Sequence, residues 1–361
     1  MNQEMQNALL KSARRDLIDY PQVGIKQKTK NLVKKMIGRG DSIPKRDYIS
    51  WPNGMLALAI EDSNIEDQVL DVFLSKWTSN GFSIRSVEDT VSGLAFLKKS
   101  LAENDSEEYQ KASRMIYDYL MAAPKDEEGS FLYNPKQNNN YVLVDMIGMV
   151  CPFLSLWGRE MSCDEAYDIA EKQILNFVKY GMDDETLLPY HGYEICTDSK
   201  LGIIGWGRAI GWLLMGEAGY LLYAPKERPN YVIIEEQFKI TVDTIRKYQN
   251  KSDLYEWKID IFPKTIDTSA SAMILDSIAT WLLRKYEENS MNDAEVIAKY
   301  RDMLSKGFEE LTGHINDGKV YGAQAECLGL GLHPDKFGSY PWSVGPTLSL
   351  MMKLKKLGVI K

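Results

Sequence analysis

The 361-residue chain carries a formal net charge of −8 and is 44% hydrophobic, which is enough apolar content for a substantial core. A surface that binds nucleic acid needs clustered lysine and arginine, so the acidic balance argues against a nucleic-acid partner. No apolar stretch reaches the length that spans a bilayer, so we expect no membrane partner either. Acidic glycans stay possible, because one arginine can dominate the charge of a pocket.

The N-terminus and the cysteines favour a cytoplasmic location. Residues 1–21 lack an apolar segment of signal-peptide length, although a secreted chain trimmed of its signal would look the same. The four cysteines form no CxxC pair, so we expect reduced thiols: Cys151, Cys163, Cys196 and Cys327.

Six charge-rich segments each carry one apolar stripe at helical spacing, which predicts amphipathic helices with one face toward a core. No block of the sequence is rich in strands. The segment 134–140, with the sequence NPKQNNN, has no large apolar residue and precedes Asp145, which predicts a mobile rim. The charge-rich segments cover residues 25–39, 64–78, 106–121, 164–180, 231–248 and 292–311.

Six more apolar segments alternate with them, and each begins with a tryptophan or an aspartate followed within three to five residues by glycine or alanine. This repetition predicts an all-α (α/α)6 barrel with six inner and six outer helices, forming one domain over residues 1–361. An open solenoid is the alternative, but a shared pocket for the six polar starts favours closure. The starts are Trp51, Asp89, Asp145, Trp206, Asp267 and Trp342.

Two of these starts are candidate catalytic carboxylates. Asp145 is flanked by apolar residues, and burial of a carboxyl favours the protonated form that can deliver a proton, although an aspartate before a helix is commonly an N-cap. Asp89 occupies the equivalent place one hairpin earlier, with Glu88 as its rival. Enzymes that cleave glycosidic bonds usually need two carboxylates.

Trp206 and Arg208 lie in a glycine-rich turn that leads into an apolar helix. The arginine fork and the helix N-terminus favour an anion, and the indole offers a flat face for a sugar ring, so the pair suggests an acidic sugar. A structural arginine with a core tryptophan is the alternative. His191 and Tyr193 precede this turn in the same loop; His191 is either a sugar ligand or a loop hydrogen bonder.

The sequence predicts neither a metal nor an organic cofactor. Its three histidines, His191, His314 and His333, stand in separate glycine-containing contexts without zinc-site spacing. No phosphate-binding loop or nucleophile elbow is present, and the glycines near His333 lack the strand of a dinucleotide site. The glycine-rich segment 313–340 is too long for an ordinary connection, which favours a functional loop.

VDMIGMVCPFL at Asp145, WGRAIGW at residues 206–212, DTSASAM at Asp267 and WPNG at Trp51 resemble the unsaturated rhamnogalacturonyl hydrolases and the related unsaturated glucuronyl hydrolases. The resemblance covers nearly the whole chain. It implies an (α/α)6 barrel that hydrates the double bond of a 4,5-unsaturated uronic acid at the non-reducing end of an oligosaccharide.

By motif, the resemblance makes Asp145 the proton donor and Asp89 the assisting carboxylate. His191 corresponds to a substrate-contacting histidine, and the sugar platform and uronate-binding positions fall on aromatic residues and one arginine. The sequence departs from the family pattern at Tyr133, Asn134, Ala209 and Ile210. The expected substrate-binding residues are His191, Trp206, Arg208, Trp212, Trp51, Trp342 and Tyr193.

The expected partner is an acidic oligosaccharide, and the chain is expected to be a monomer or a homodimer. Two alternatives are an inverting hydrolase or lyase of acidic glycans, in which Tyr193 and Arg208 would serve the lyase, and a catalytically silent protein that binds or assembles glycans.

Overall fold

The computed structural model describes residues 2–19, 48–64, 68–79, 81–102, 106–133, 140–248, 252–259, 265–288, 294–327 and 329–360. These residues are mostly helical, as the sequence predicts. In chain order the helices are α1 Asn2–Asp19, α2 Trp51–Asp62, α3 Val69–Thr78, α4 Thr90–Ala102, α5 Glu107–Ala122, α6 Asp145–Met161, α7 Asp164–Gly181, α8 Gly207–Tyr223, α9 Tyr231–Tyr248, α10 Thr268–Glu287, α11 Ala294–Thr312 and α12 Pro341–Lys356.

Six of these helices form a closed inner ring. Each of α2, α4, α6, α8, α10 and α12 packs against the next, and α12 packs back against α2. The closure confirms the (α/α)6 barrel over the open solenoid. Among the described helices, none is both long and apolar enough to cross a membrane.

The outer layer agrees with the sequence except at the N-terminus and at the start of α3, which begins at Val69 and not at residue 64. Helices α5, α7, α9 and α11 each pack on the inner helix that precedes them, close to the predicted bounds. The predicted helix over residues 25–39 lies outside the described residues. Helix α1, which the sequence-based predictions omit, packs against α2 and α12 through a buried stripe formed by Leu9, Leu10, Ala13 and Leu17.

The small residue near the start of each inner helix has a packing function. A Cβ at Gly148 of α6 would lie 2.6 Å from the backbone oxygen of Trp212 in α8, and a Cβ at Gly345 of α12 would lie 2.5 Å from that of Met55 in α2. Such distances are shorter than van der Waals contact, so glycine lets the backbones of neighbouring inner helices touch. These glycines therefore permit the close approach of α6 to α8 and of α12 to α2.

Short strands lie in the loops that precede three of the inner helices, α6, α8 and α12. β1 Val142–Leu143, β2 Gly192–Glu194 and β3 Ser199–Leu201 form an antiparallel sheet in the order β1-β2-β3. β4 Ile315–Asn316 pairs with β5 Lys319–Val320, and β6 Ala323–Gln324 pairs with β7 Phe337–Gly338. These pairings fix the loops at the N-terminal ends of the inner helices.

Towards the opposite end of the barrel lies a cavity of about 360 Å³, lined by residues of all six inner helices. Charged side chains of the lining form ion pairs: Lys98 pairs with Asp62, and Lys353 Nζ lies 2.7 Å from Asp276 Oδ2. Burial alone would raise the pKa of Asp62, but the positive charges of Lys98 and Lys353 hold it well below its ordinary value. This end is held together by internal ion pairs.

We expect Gly148→Ala to lower the free energy of unfolding by about 1–3 kcal/mol, because the added methyl overpacks the contact with α8. The sign of this change distinguishes a crowded position from an uncrowded one, since a glycine-to-alanine change inside an uncrowded helix stabilises by up to about 1 kcal/mol. Gly313→Ala is the control, because its Cβ would meet only the Glu310 oxygen at 3.2 Å. Denaturant unfolding checks both variants, and a stabilised Gly148→Ala protein would contradict the tight ring.

Candidate active site

Strand pairing brings Asp145 and His191 together. Strand β1 ends just before Asp145 and pairs with β2, which begins just after His191, and Val144 N donates to His191 O at 3.0 Å. As a result His191 Nε2 lies 3.2 Å from Asp145 Oδ2. Val144 is the N-cap of α6 and Asp145 is the first helical residue, so the N-cap alternative for Asp145 does not hold.

Several polar atoms at this place are buried and lack a hydrogen-bond partner among the described residues. They are Asp145 Oδ2, His191 Nδ1 and both ring nitrogens of His333. The Asp145 side chain is 16% exposed and that of His191 is 3% exposed. Buried polar groups are rarely left unpaired, so a cluster of them indicates that a ligand supplies the missing partners.

His333 reaches this cluster from the loop between β6 and β7. Its ring centroid lies 4.9 Å from that of Trp206 and 5.7 Å from that of His191. Burial, and after it the nearby His191 and Arg208, lower the pKa of His333 to about 4. The spacing of the histidines along the chain does not indicate this contact, because only the return of the β6–β7 hairpin creates it.

Gln324 is the centre of a hydrogen-bond network that the sequence did not reveal. Trp206 Nε1 donates to its side-chain oxygen at 3.0 Å, and Trp342 Nε1 donates to its backbone oxygen at 3.0 Å. Arg208 Nη1 also donates to that backbone oxygen, at 2.9 Å. Trp206, Trp342 and Arg208, which the sequence predicts at one site, therefore do lie together, and they meet around β6.

The protein itself provides acceptors for the Arg208 guanidinium. Nη1 lies 3.3 Å from Asp267 Oδ2, Nη2 donates to Ala325 O at 2.9 Å, and the side chain is 2% exposed. Burial lowers the pKa of Arg208, and the charges of Asp267 and Asp145 oppose that shift. These contacts favour the structural arginine over the uronate-binding fork.

Three of the predicted sugar-binding tryptophans pack against one another near the barrel axis. The ring of Trp51 lies 5.6 Å from that of Trp212 and 5.0 Å from that of Trp342, whose other face stacks on Tyr340. All three are buried, and so is Trp206. A stacking platform needs an open face, so the described conformation favours a core role for these residues.

The turn that holds Glu88 and Asp89 packs against α6 and α2. Asp89 is buried, and its Oδ2 accepts a hydrogen bond from Arg85 N at 2.9 Å. Glu88 Oε1 accepts from the Tyr133 hydroxyl at 3.1 Å. Burial raises the pKa of Tyr133, and the negative charges of Glu88 and then Asp145 raise it further, so Tyr133 lies near both carboxylates.

The remaining predicted residues lie away from this cluster or outside the description. Tyr193 is buried, its hydroxyl donates to Ser130 Oγ at 2.8 Å, and this contact favours a packing role. Ala209 and Ile210 are fully buried, so these departures from the family pattern lie in the core of α8. Asn134 and most of the predicted rim, residues 134–139, lie outside the described residues.

Solved glycoside hydrolases share this fold. A possible GH105 member from Salmonella enterica serovar Paratyphi A has a TM-score of 0.79 at 17% identity, covering 99% of this chain and 95% of that one. A possible GH105 member from Klebsiella pneumoniae has a TM-score of 0.77 at 16% identity, covering 98% and 94%. The unsaturated glucuronyl hydrolase of Bacillus sp. GL1, responsible for the degradation of glycosaminoglycan, has a TM-score of 0.73 at 15% identity, covering 99% and 98%.

Identities this low establish the fold alone. The family is established by the match of Glycosyl Hydrolase Family 88 to residues 44–356, which include all six inner helices. That match confirms the resemblance to the unsaturated uronyl hydrolases at the level of the family. The chain belongs to Glycosyl Hydrolase Family 88 and is a glycoside hydrolase.

Proposed function

We propose that this glycoside hydrolase releases a 4,5-unsaturated uronic acid from the non-reducing end of acidic oligosaccharides. The observation that carries the proposal is the Asp145 carboxylate at the N-terminal ends of the inner helices: its Oδ2 lies 3.2 Å from His191 Nε2 and accepts no hydrogen bond from the described residues. The structurally similar unsaturated glucuronyl hydrolase supports the same substrate class.

In the proposed reaction, water adds across the C4–C5 double bond. Protonated Asp145 gives its proton to C4, and the resulting carboxylate takes a proton from the water whose oxygen bonds to C5. The hemiketal formed at C5 then opens and releases the remaining sugar. Asp145 ends the cycle protonated, so the reaction needs no metal and no organic cofactor.

Two features attract the anionic sugar. The inner helices run parallel, so their positive dipole ends share the face at which Asp145 lies. The buried charge of Arg208 adds to this potential, because it acts on both Asp145 and His333 without contacting them through hydrogen bonds. We therefore assign Arg208 to positioning and long-range attraction.

The assisting carboxylate comes from the turn before α4. Tyr133 links Glu88 to the surroundings of Asp145, whereas Asp89 binds the backbone of its own turn. We favour Glu88 on this ground, and the sequence-based assignment to Asp89 stays a prediction. One domain over residues 1–361, a monomer or homodimer, and a cytoplasmic location also stay predictions.

The ultraviolet absorbance of the conjugated double bond tests the reaction class directly. With an unsaturated glucuronyl disaccharide as substrate, we expect the absorbance to fall as the enzyme hydrates the bond. A rise with an intact polysaccharide would show a lyase. A flat trace with sugar release would show ordinary hydrolysis, and a flat trace without release would show a binding protein.

We expect Asp145→Asn to lower kcat by about 10²–10⁴-fold while leaving the fold intact, because an amide keeps the volume but cannot cycle a proton. Asp118→Asn on the exposed face of α5 is the matched control and should keep full activity. The absorbance assay measures both variants. More than half of the wild-type rate in Asp145→Asn would remove this residue from the chemistry.

Glu88→Gln and Asp89→Asn separate the two rival carboxylates. We expect Glu88→Gln to lower kcat by about 10²-fold with little change in stability. Asp89→Asn should act mainly on stability, because the buried Asp89 oxygen accepts the Arg85 amide. Paired kinetics and thermal unfolding measure this, and the reverse pattern would restore Asp89 to the assisting role.

We expect Arg208→Lys to lower the free energy of unfolding by about 2–4 kcal/mol, because an ammonium cannot reach both Asp267 and the Ala325 oxygen. The control is Arg114→Lys, in an exposed pair with Asp118, which should change stability by less than about 1 kcal/mol. Unchanged stability with a raised KM would instead show that Arg208 binds the uronate.

A further inference from the structure

Three metal-binding side chains meet beside Asp145. His191 belongs to the loop before β2, whereas Cys327 and His333 belong to the loop between β6 and β7. One ligand atom from each of the three lies within 4.8 Å of the others. The cluster joins His191 to two residues of a loop that lies much later in the chain.

We propose that His191, Cys327 and His333 form a binding site for a zinc-type transition metal ion. Two imidazoles and one thiolate are ligands that zinc and its first-row neighbours prefer, and three protein ligands leave a fourth position for water or a ligand oxygen. The set contains no second thiolate and no closing fourth residue, so the site would be open.

The unpaired nitrogens provide the observation that points to a ligand. His191 is buried and its Nδ1 lacks a hydrogen-bond partner among the described residues, as do both nitrogens of His333. A lone Nδ1 on a surface histidine would simply bind water, but these rings are enclosed by Trp206 and by each other. A cation that accepts two imidazole lone pairs satisfies them together.

Binding of a zinc ion would require the three ligand atoms to move closer together. Zinc lies about 2.0–2.1 Å from nitrogen and about 2.3 Å from sulfur, so tetrahedral ligands are about 3.3–3.6 Å apart. The cluster would contract by about 1 Å, and the Cys327 thiol would leave the Gly329 oxygen that it contacts at 3.0 Å. A thiol must lose its proton to bind a metal ion, so metal binding would release the Cys327 proton to the buffer.

A metal ion bound at this site would link the β6–β7 loop to the barrel. His191 lies on the barrel side and contacts Asp145, whereas the other two ligands lie on the loop that covers Trp206. A bound ion would therefore hold this loop over the face where Asp145 lies. If the proposed hydration takes place there, which this consequence assumes, zinc inhibits it and a chelator restores it.

Direct metal binding tests the proposal without relying on activity. The full chain, freed of metal with a chelator, is titrated with Co²⁺ and then with Zn²⁺. We expect one ion per chain, with a thiolate-to-cobalt absorption band that Zn²⁺ abolishes. Calorimetry in buffers of different ionisation enthalpy should show release of a proton on binding.

Variants assign the ligands. Cys327→Ser should remove the thiolate band, and His333→Gln should weaken binding at least about tenfold. Cys196→Ser and His314→Gln are matched controls, because Cys196 is exposed and neither residue belongs to the cluster. Circular dichroism confirms that each variant is folded.

Absence of binding at millimolar Co²⁺ would overturn the proposal. Binding that survives both Cys327→Ser and His333→Gln would do the same, because it would show an adventitious surface site. Neither result would bear on the hydration reaction, which the absorbance assay tests with metal-free protein.

Discussion

A buried guanidinium is the constraint on which the functional end of the barrel depends. Removing a charge from water costs several kcal/mol unless polar partners surround it. Arg208 therefore needs the Asp267 carboxylate and the backbone oxygens at the end of β6 as its partners. The same Gln324 oxygen accepts from Trp342, which joins α12 to this network. Helices α8, α10 and α12 and the hairpin β6–β7 are thereby fixed relative to one another, and His333 is brought beside His191.

The two ends of the ring differ in how their polar groups are satisfied. At the C-terminal ends of the inner helices, lysines and aspartates pair with each other around a well-formed cavity. At the N-terminal ends, polar atoms of Asp145, His191 and His333 lack partners within the described chain. An enzyme needs groups that are held in place and that still have atoms available to bond a ligand, so the N-terminal end is the better candidate for chemistry.

The sequence predicted the ring because its signals are local: apolar periodicity marks the helices, and the small residue after each start marks the crowded contacts seen at Gly148. It also predicted that Asp145 and His191 belong to one site. Long loops carry no such periodicity, so the meeting of His333 with His191 and the role of Gln324 could not be predicted. The sequence suggests Arg208 as a ligand of the sugar because it shows the charge of this residue but not its partners. Helix α1 is absent from the predicted set, which begins at residue 25.

The most direct test of the central claim is a crystal structure of Asp145→Asn with an unsaturated glucuronyl disaccharide bound. The proposed chemistry predicts the C4–C5 double bond within about 3.5 Å of the residue 145 side chain, the separation at which a proton can be transferred. It also predicts His191 in contact with the sugar. A disaccharide bound in the cavity at the opposite end, or at the N-terminal face with its double bond far from residue 145, would contradict the account.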